Sequence, residues 1–175
     1  MRCVVLVGLP GAGKSTVGPL LAERLGGWRF VDLDAEIERT TGRTVAEIFA
    51  TDGEAAFRQL ERETTQRLAA GGPTGMVLAP GGGWILDSAN LSALGAATVT
   101  VYLRVSPTAA LRRMAGAAAA RPLLATSDPL ASLKALLEAR EAVYLQANHT
   151  VAAESMSPDA IADSIVALVS SGQGH

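Results

Sequence analysis

Cysteine is almost missing from this 175-residue chain. Cys3 stands alone, which excludes internal disulfides and cysteine metal clusters and leaves it to pack as a small apolar side chain. An excess of positive charge is missing too. The 15 Lys and Arg face 17 Asp and Glu, and a net charge of −2 gives no basic footprint for nucleic acid. No apolar run approaches the roughly 20 residues that span a bilayer. Met1-Arg2-Cys3 runs directly into an apolar stretch with no secretory leader, so a cytoplasmic protein without membrane partners is expected. Neither repeats nor a long linker divide the chain, and a single domain over residues 1–175 is expected, as a monomer. Lysine is scarce: only Lys14 and Lys134, every other cationic side chain being arginine. What the chain has in quantity is apolar. A hydrophobic fraction of 49% and a mean hydropathy of +0.26 are enough for a full core.

The scarce lysine falls in the most informative stretch. Gly8-Leu9-Pro10-Gly11-Ala12-Gly13-Lys14-Ser15-Thr16 fits G-x-x-x-x-G-K-[ST], the phosphate-binding loop. Cys3-Val4-Val5-Leu6-Val7 precedes it as a buried parallel strand. Residues 16–25 follow as an amphipathic helix with Val17, Leu20, Leu21 and Leu25 inward. Glycines let consecutive backbone N–H groups converge on one concavity, and the helix N-terminus adds partial positive charge. Gly11, Ala12, Gly13, Lys14, Ser15 and Thr16 are thus candidates for holding a nucleotide's phosphates. Lys14 brings a full charge to the β and γ phosphates, and the Ser15 hydroxyl is a candidate Mg²⁺ ligand.

Farther along, Trp28-Arg29-Phe30-Val31 predicts a second strand running into Asp32-Leu33-Asp34. Two carboxylates at i and i+2 on extended backbone share a face, here at the strand end that overlooks the ligand crevice. Asp32 is the candidate for Mg²⁺, and Asp34 for the neighbourhood of the group being phosphorylated. The competing reading has Asp34 cap a helix over residues 35–41. Thr44-Val45-Ala46-Glu47 is a capping box for a short helix that Asp52-Gly53 breaks. A longer helix then covers residues 54–69 with Phe57, Leu60 and Leu68 inward. Arg58 and Glu61 share a face there, and by pattern alone Arg58 reads as a solvated helix charge. Met76-Val77-Leu78-Ala79 predicts a third strand, ended by Pro80 and followed by Gly81-Gly82-Gly83, where a ligand can approach bare backbone. Residues 97–103 predict a fourth strand. Ser106-Pro107 opens a helix bearing Arg112 and Arg113, and residues 115–127 predict a lid. Asp128-Pro129 opens a helix to about residue 146 with Arg140 and Tyr144. His149-Thr150-Val151 is a fifth strand with a structural histidine. Ser157-Pro158 opens the last helix, and residues 170–175 are a frayed tail. Alternating strands and helices predict a three-layer α/β/α sandwich around a parallel sheet.

These pieces, in this order, resemble the shikimate kinases of the nucleoside-monophosphate-kinase-like P-loop group. The resemblance covers residues 2–146. It rests on the phosphate loop, Asp32-Leu33-Asp34, Asp52-Gly53-Glu54 leading to Phe57-Arg58 and Glu61, the triple glycine, Arg121-Pro122-Leu123-Leu124, and Arg140 with Tyr144. It implies a five-stranded sheet in the order 2-3-1-4-5. It also implies ATP-dependent phosphorylation of the shikimate 3-hydroxyl on the way to chorismate, with Mg²⁺. By resemblance, Asp34, Arg58, Gly82 and Arg140 contact shikimate, with Gly81 and Gly83 beside them. Arg121 reaches the transferring phosphate and Arg113 flanks the adenine, giving Lys14, Asp34 and Arg121 as the catalytic set. The alternatives are another small-molecule P-loop kinase of the gluconate type, or a nucleotide-binding protein without phosphotransfer. The chain departs from the family pattern in three places. Ala79-Pro80 stand where many members carry a hydroxyl, Trp84 is large where small residues are common, and Met156-Ser157-Pro158 lacks a basic residue.

Overall fold

The apolar run before the phosphate loop forms β1 (Cys3–Val7), and its alternation decides the layering. Val4 and Leu6 enter one core, while Cys3, Val5 and Val7 enter the other. Only a strand covered on both faces can be apolar throughout. In this structure, a computed structural model describing residues 1–72, 75–114 and 126–171, β1 is the middle of a five-stranded sheet. Around it stand β2 (Arg29–Asp32), β3 (Met76–Ala79), β4 (Thr98–Arg104) and β5 (His149–Ala152). The order is β2-β3-β1-β4-β5 and every pairing is parallel, as expected.

Helices α1 (Lys14–Arg24), α5 (Pro107–Arg113) and α7 (Pro158–Ser171) cover the Val4/Leu6 face. Leu21, Ala110, Ile161 and Ile165 pack there. Helices α2 (Leu33–Thr41) and α3 (Val45–Ala70) cover the other face with Leu33, Ile37, Ile48 and Phe57, and the short α4 (Ser88–Leu94) adds Leu94. Helix α6 (Pro129–Tyr144) places Leu133 in the first core and Tyr144 in the second. Cys3 is fully buried, and burial pushes its thiol up to about 12, so it is inert packing as anticipated.

Four expectations need correction. The strand β2 ends in a helix sooner than the sequence suggested. Asp32, not Asp34, is the cap: its Oδ1 accepts the Ala35 N–H at 3.2 Å. Asp34 therefore stands in the first turn of α2, not on extended backbone, and the two carboxylates meet the crevice from different elements. Second, the helices expected on either side of Gly53 run on as one element, α3, with a kink where Gly53 adopts φ 83°, ψ 174°. Only glycine takes that conformation cheaply. The capping box Thr44/Glu47 opens α3 as read, and the Phe49 and Phe57 rings meet at 4.8 Å across the kink. Third, a 3₁₀ turn over Trp84–Leu86 and α4 have no counterpart in the sequence reading. Fourth, Ser170 and Ser171 belong to α7 instead of a frayed tail, and residues 172–175 lie outside the described residues. Most of the expected lid, residues 115–125, lies outside them too.

Candidate active site

The phosphate loop leads into α1 through Gly13, at φ 100°. Its left-handed backbone turns the chain so that α1 starts at Lys14. Lys14 is only 8% exposed, and its Nζ donates to the carbonyls of Gly8 and Leu9 at 2.8 and 2.9 Å. The cation is thereby held over the loop mouth. Ser15 Oγ donates to Asp32 Oδ2 at 2.7 Å, which joins the two residues expected at a magnesium ion. One hydroxyl and one carboxylate are hard oxygen donors that suit Mg²⁺, an ion that keeps water and phosphate as its other ligands. No group of three or more His, Cys, Asp or Glu stands ready for a metal among the described residues.

Lys14, Ser15, Asp32 and Asp34 line one hollow of about 490 Å³ together with Pro80 and Gly81. Gly81 lines this hollow, whereas Gly83 lines a neighbouring one of about 250 Å³ with Arg58 and Glu61, and the space a methyl group would take at each of the three glycines shows how tightly the side chains around them press. At Gly81 a Cβ would lie 3.3 Å from Glu61 Oε1 and 3.5 Å from Asp34 Oδ1. At Gly82 it would lie 3.0 Å from the Tyr144 hydroxyl and 3.3 Å from Arg140 Nη1. At Gly83 it would lie 2.5 Å from Arg58 Nη2. The three glycines bring Asp34, Arg58 and Arg140 around one stretch of backbone, from α2, α3 and α6. Tyr144 fixes that stretch by donating to the Gly82 carbonyl at 2.6 Å. Arg140 is 7% exposed beside Tyr144, so its charge is largely withdrawn from water.

Arg58 is not the solvated helix charge that its pattern suggested. Its Nη1 donates to Glu61 Oε2 at 2.5 Å and its Nη2 to Glu54 Oε1 at 3.0 Å, and the guanidinium lies over Gly83. The reason is tertiary: the glycines leave a flat floor onto which the fork can turn. Trp84 does not narrow this space. It is fully buried and donates from Nε1 to Thr65 Oγ1 at 2.9 Å, so it packs against α3.

Helical spacing marks Glu61 only as a neighbour of Arg58, three residues away on α3. It is 1% exposed, and its Oε1 is buried without a hydrogen-bond partner among the described residues. Burial pushes its carboxyl up to about 7. Arg58 and Arg140 oppose the rise, and Asp34 adds to it. A folded-state value above the unfolded one means that the native state holds the extra proton. Stability from this group is thus present at low pH and is lost as pH climbs from about 4.5 towards about 7. Thermal melts of the Glu61→Gln variant, which imitates the protonated form, should lose that segment of the pH profile. An unchanged profile would remove Glu61 as its source.

Arg113, Met114, Met156 and Pro158 also line the 490 Å³ hollow. Arg113 is held against the loop: Nη1 donates to Ala12 O at 3.1 Å and Nη2 to Ala153 O at 2.6 Å. The apolar faces of the two methionines suit a flat base there. Arg121 lies outside the described residues.

Comparison with known proteins finds likeness over nearly the whole chain. A sequence profile described as shikimate kinase matches residues 10–170. The shikimate kinase of Nitrobacter winogradskyi is 44% identical over 168 residues, covering 96% of this chain and 77% of that one. That of Saccharopolyspora erythraea is 45% identical, covering 95% and 93%. Among solved structures, shikimate kinase from Acinetobacter baumannii in complex with shikimate superposes with a TM-score of 0.92 at 36% identity, covering 100% of this chain and 96% of that one. A gluconokinase from Sinorhizobium meliloti, at 20% identity and a TM-score of 0.54, shares the fold alone. The profile spans Lys14, Arg58, Gly81 to Gly83 and Arg140, and the chain belongs to the shikimate kinase family.

Proposed function

We propose that the protein transfers the γ-phosphoryl group of ATP to the 3-hydroxyl of shikimate, giving ADP and shikimate 3-phosphate. One observation carries the reading. Lys14, Asp34 and Gly81 line a common hollow, and a methyl group added at Gly81, Gly82 or Gly83 would meet Asp34, Arg140 or Arg58 in turn. A cation for phosphates and a guanidinium pair for a carboxylate thus flank one carboxylate that can address a hydroxyl.

Shikimate carries one carboxylate and three hydroxyls. The planar forks of Arg58 and Arg140 match the two carboxylate oxygens, each charge-assisted bond contributing about 1.5–3 kcal/mol. Arg58 is already oriented by Glu61 and Glu54, so little freedom is lost when the acid arrives. Asp34 accepts a hydrogen bond from the attacking hydroxyl and aims its lone pair at the γ phosphorus. Lys14 exchanges its two carbonyl partners for phosphate oxygens and holds the charge that spreads over them in the transition state. Mg²⁺, held by Ser15 and Asp32, would supply further neutralisation of the β and γ oxygens. Arg113 and the two methionines flank the adenine. Arg121 is assigned to the transferring phosphate by its motif alone. Cytoplasmic location and a monomeric state complete the reading.

An ADP-release assay with shikimate, gluconate and CMP as separate acceptors tests this. Shikimate alone is expected to raise the rate above the acceptor-free level. Stimulation by another acceptor instead points to a different small-molecule kinase, and no stimulation at all points to a nucleotide-binding protein. Gly83→Ala probes the acceptor wall. The added methyl displaces the Arg58 fork, so the shikimate KM should rise by about tenfold or more, with the ATP KM nearly unchanged. A wild-type shikimate KM would show that the fork does not need the space.

A further inference from the structure

A second concavity lies at the β2 edge of the sheet, away from the phosphate loop. It has a volume of about 320 Å³ and is bordered by the first residue of β2, by α2 and by the end of α3. Three arginines face it, one from each element: Arg29, Arg39 and Arg67. Glu36 is the one carboxylate among its lining residues. Three positive charges gather around one negative charge, in a chain whose net charge is −2.

That carboxylate is already engaged. Arg39 clasps Glu36 with both fork nitrogens, Nε to Oε2 at 2.9 Å and Nη2 to Oε1 at 2.7 Å. Arg29 and Arg67 are near enough to help Arg39, whose hydrogen bond is the largest cause, hold the Glu36 carboxyl below its ordinary range. Neither has a carboxylate within 4.0 Å among the described residues; Arg67 donates only to the neutral Thr64 Oγ1, at 3.1 Å. The C-terminal end of α3 also borders the hollow, and Arg67, in the last turn, complements its partial negative charge. One arginine suffices for that purpose, and two more converge here.

We propose that this hollow is a binding site for a small molecule whose headgroup carries two or more negative charges, a phosphoryl group or paired carboxylates, held between Arg29 and Arg67. Both side chains are exposed at its rim, and beyond the Arg67 bond to Thr64 their fork donors face such a ligand. Guanidinium planes match either oxyanion geometry. At 320 Å³ the space exceeds a lone inorganic ion and sits at the small end of metabolite pockets. The site is distinct from the acceptor site, because Arg67 lies nine residues along α3 from Arg58, about 13 Å at the helical rise.

The test is calorimetric titration of inorganic pyrophosphate and, separately, citrate into the whole protein at 150 mM salt (about an 8 Å screening length), with saturating ADP on the phosphate loop. At least one probe is expected to bind at a single site. Binding by pyrophosphate alone assigns a phosphoryl headgroup, and binding by citrate alone assigns carboxylates. Arg67→Ala and Arg29→Ala should each weaken it about tenfold, the loss of one charge-assisted bond. Arg112→Ala, which removes the same charge from an exposed position on α5, should leave it unchanged. Both arginine variants lose only surface side chains, and their melting temperatures check folding. Heat from neither probe, or equal weakening in the Arg112→Ala control, overturns the proposal.

Discussion

Replacing Asp34 by asparagine is expected to lower kcat by about 10²–10⁴, the usual contribution of a positioned proton acceptor. Asparagine keeps the shape and one acceptor oxygen but cannot take the proton of the attacking hydroxyl. The ATP KM should barely move, because the phosphate loop, Lys14 and the Ser15–Asp32 pair are untouched. The fold should not suffer either. Asp34 raises the proton affinity of buried Glu61 by like-charge repulsion, so its neutralisation relieves a strained pair. A melting temperature at pH 7 equal to or above the wild-type value is therefore expected alongside the slow rate. That combination separates a chemical role from a structural one. Rapid-quench measurement of the first turnover gives the chemical step directly, and an asparagine variant at full rate would take Asp34 out of the reaction.

Arg58→Ala should act on the other half of the site. The shikimate carboxylate loses a fork of two charge-assisted bonds, and its KM should rise by about 10²-fold or more. The carboxylate is remote from the reacting hydroxyl, so the lost interaction is present in ground and transition states alike, and kcat should fall less than KM rises. Lysine at this position should rescue little, since a point charge does not span two oxygens. Stability is the complication, because Glu61 Oε2 loses its partner while Oε1 already lacks one among the described residues. With a carboxyl already near 7, Glu61 can take up a proton at neutral pH in the variant, which limits the loss. Steady-state kinetics with each substrate varied in turn decides the matter. Equal rises in the ATP and shikimate KM would displace Arg58 from the acceptor site.

The phosphate end of the site was legible residue by residue, because its chemistry is local. A strand, a glycine turn and a helix start are contiguous, so the spacing of Gly8, Gly13, Lys14 and Ser15 states the geometry by itself. The layering was legible too. A run as apolar as Cys3–Val7 must be covered on both faces, and the helix starts at Thr44, Ser106 and Asp128 were announced by side-chain caps that act within three residues.

The proposed acceptor end could be named in the sequence only through the resemblance, since its parts lie far apart along the chain. Helical spacing made Arg58 an ordinary surface charge, and only the packing of α3 against the bare backbone of Gly81 to Gly83 turns its fork inward. The same packing buries Glu61, moves its proton affinity and gives it a part in the site. Local spacing offered Asp34 as the cap of α2, and the fold gives that place to Asp32. The Ser15 hydroxyl across the crevice engages one oxygen of Asp32 and the Ala35 N–H the other, so a partner 17 residues away in sequence helps settle the matter. Contacts between residues close in sequence are specified by sequence spacing. Contacts between residues brought close by the sheet depend on the shape of every surface in between, and that shape exists only once the chain has folded.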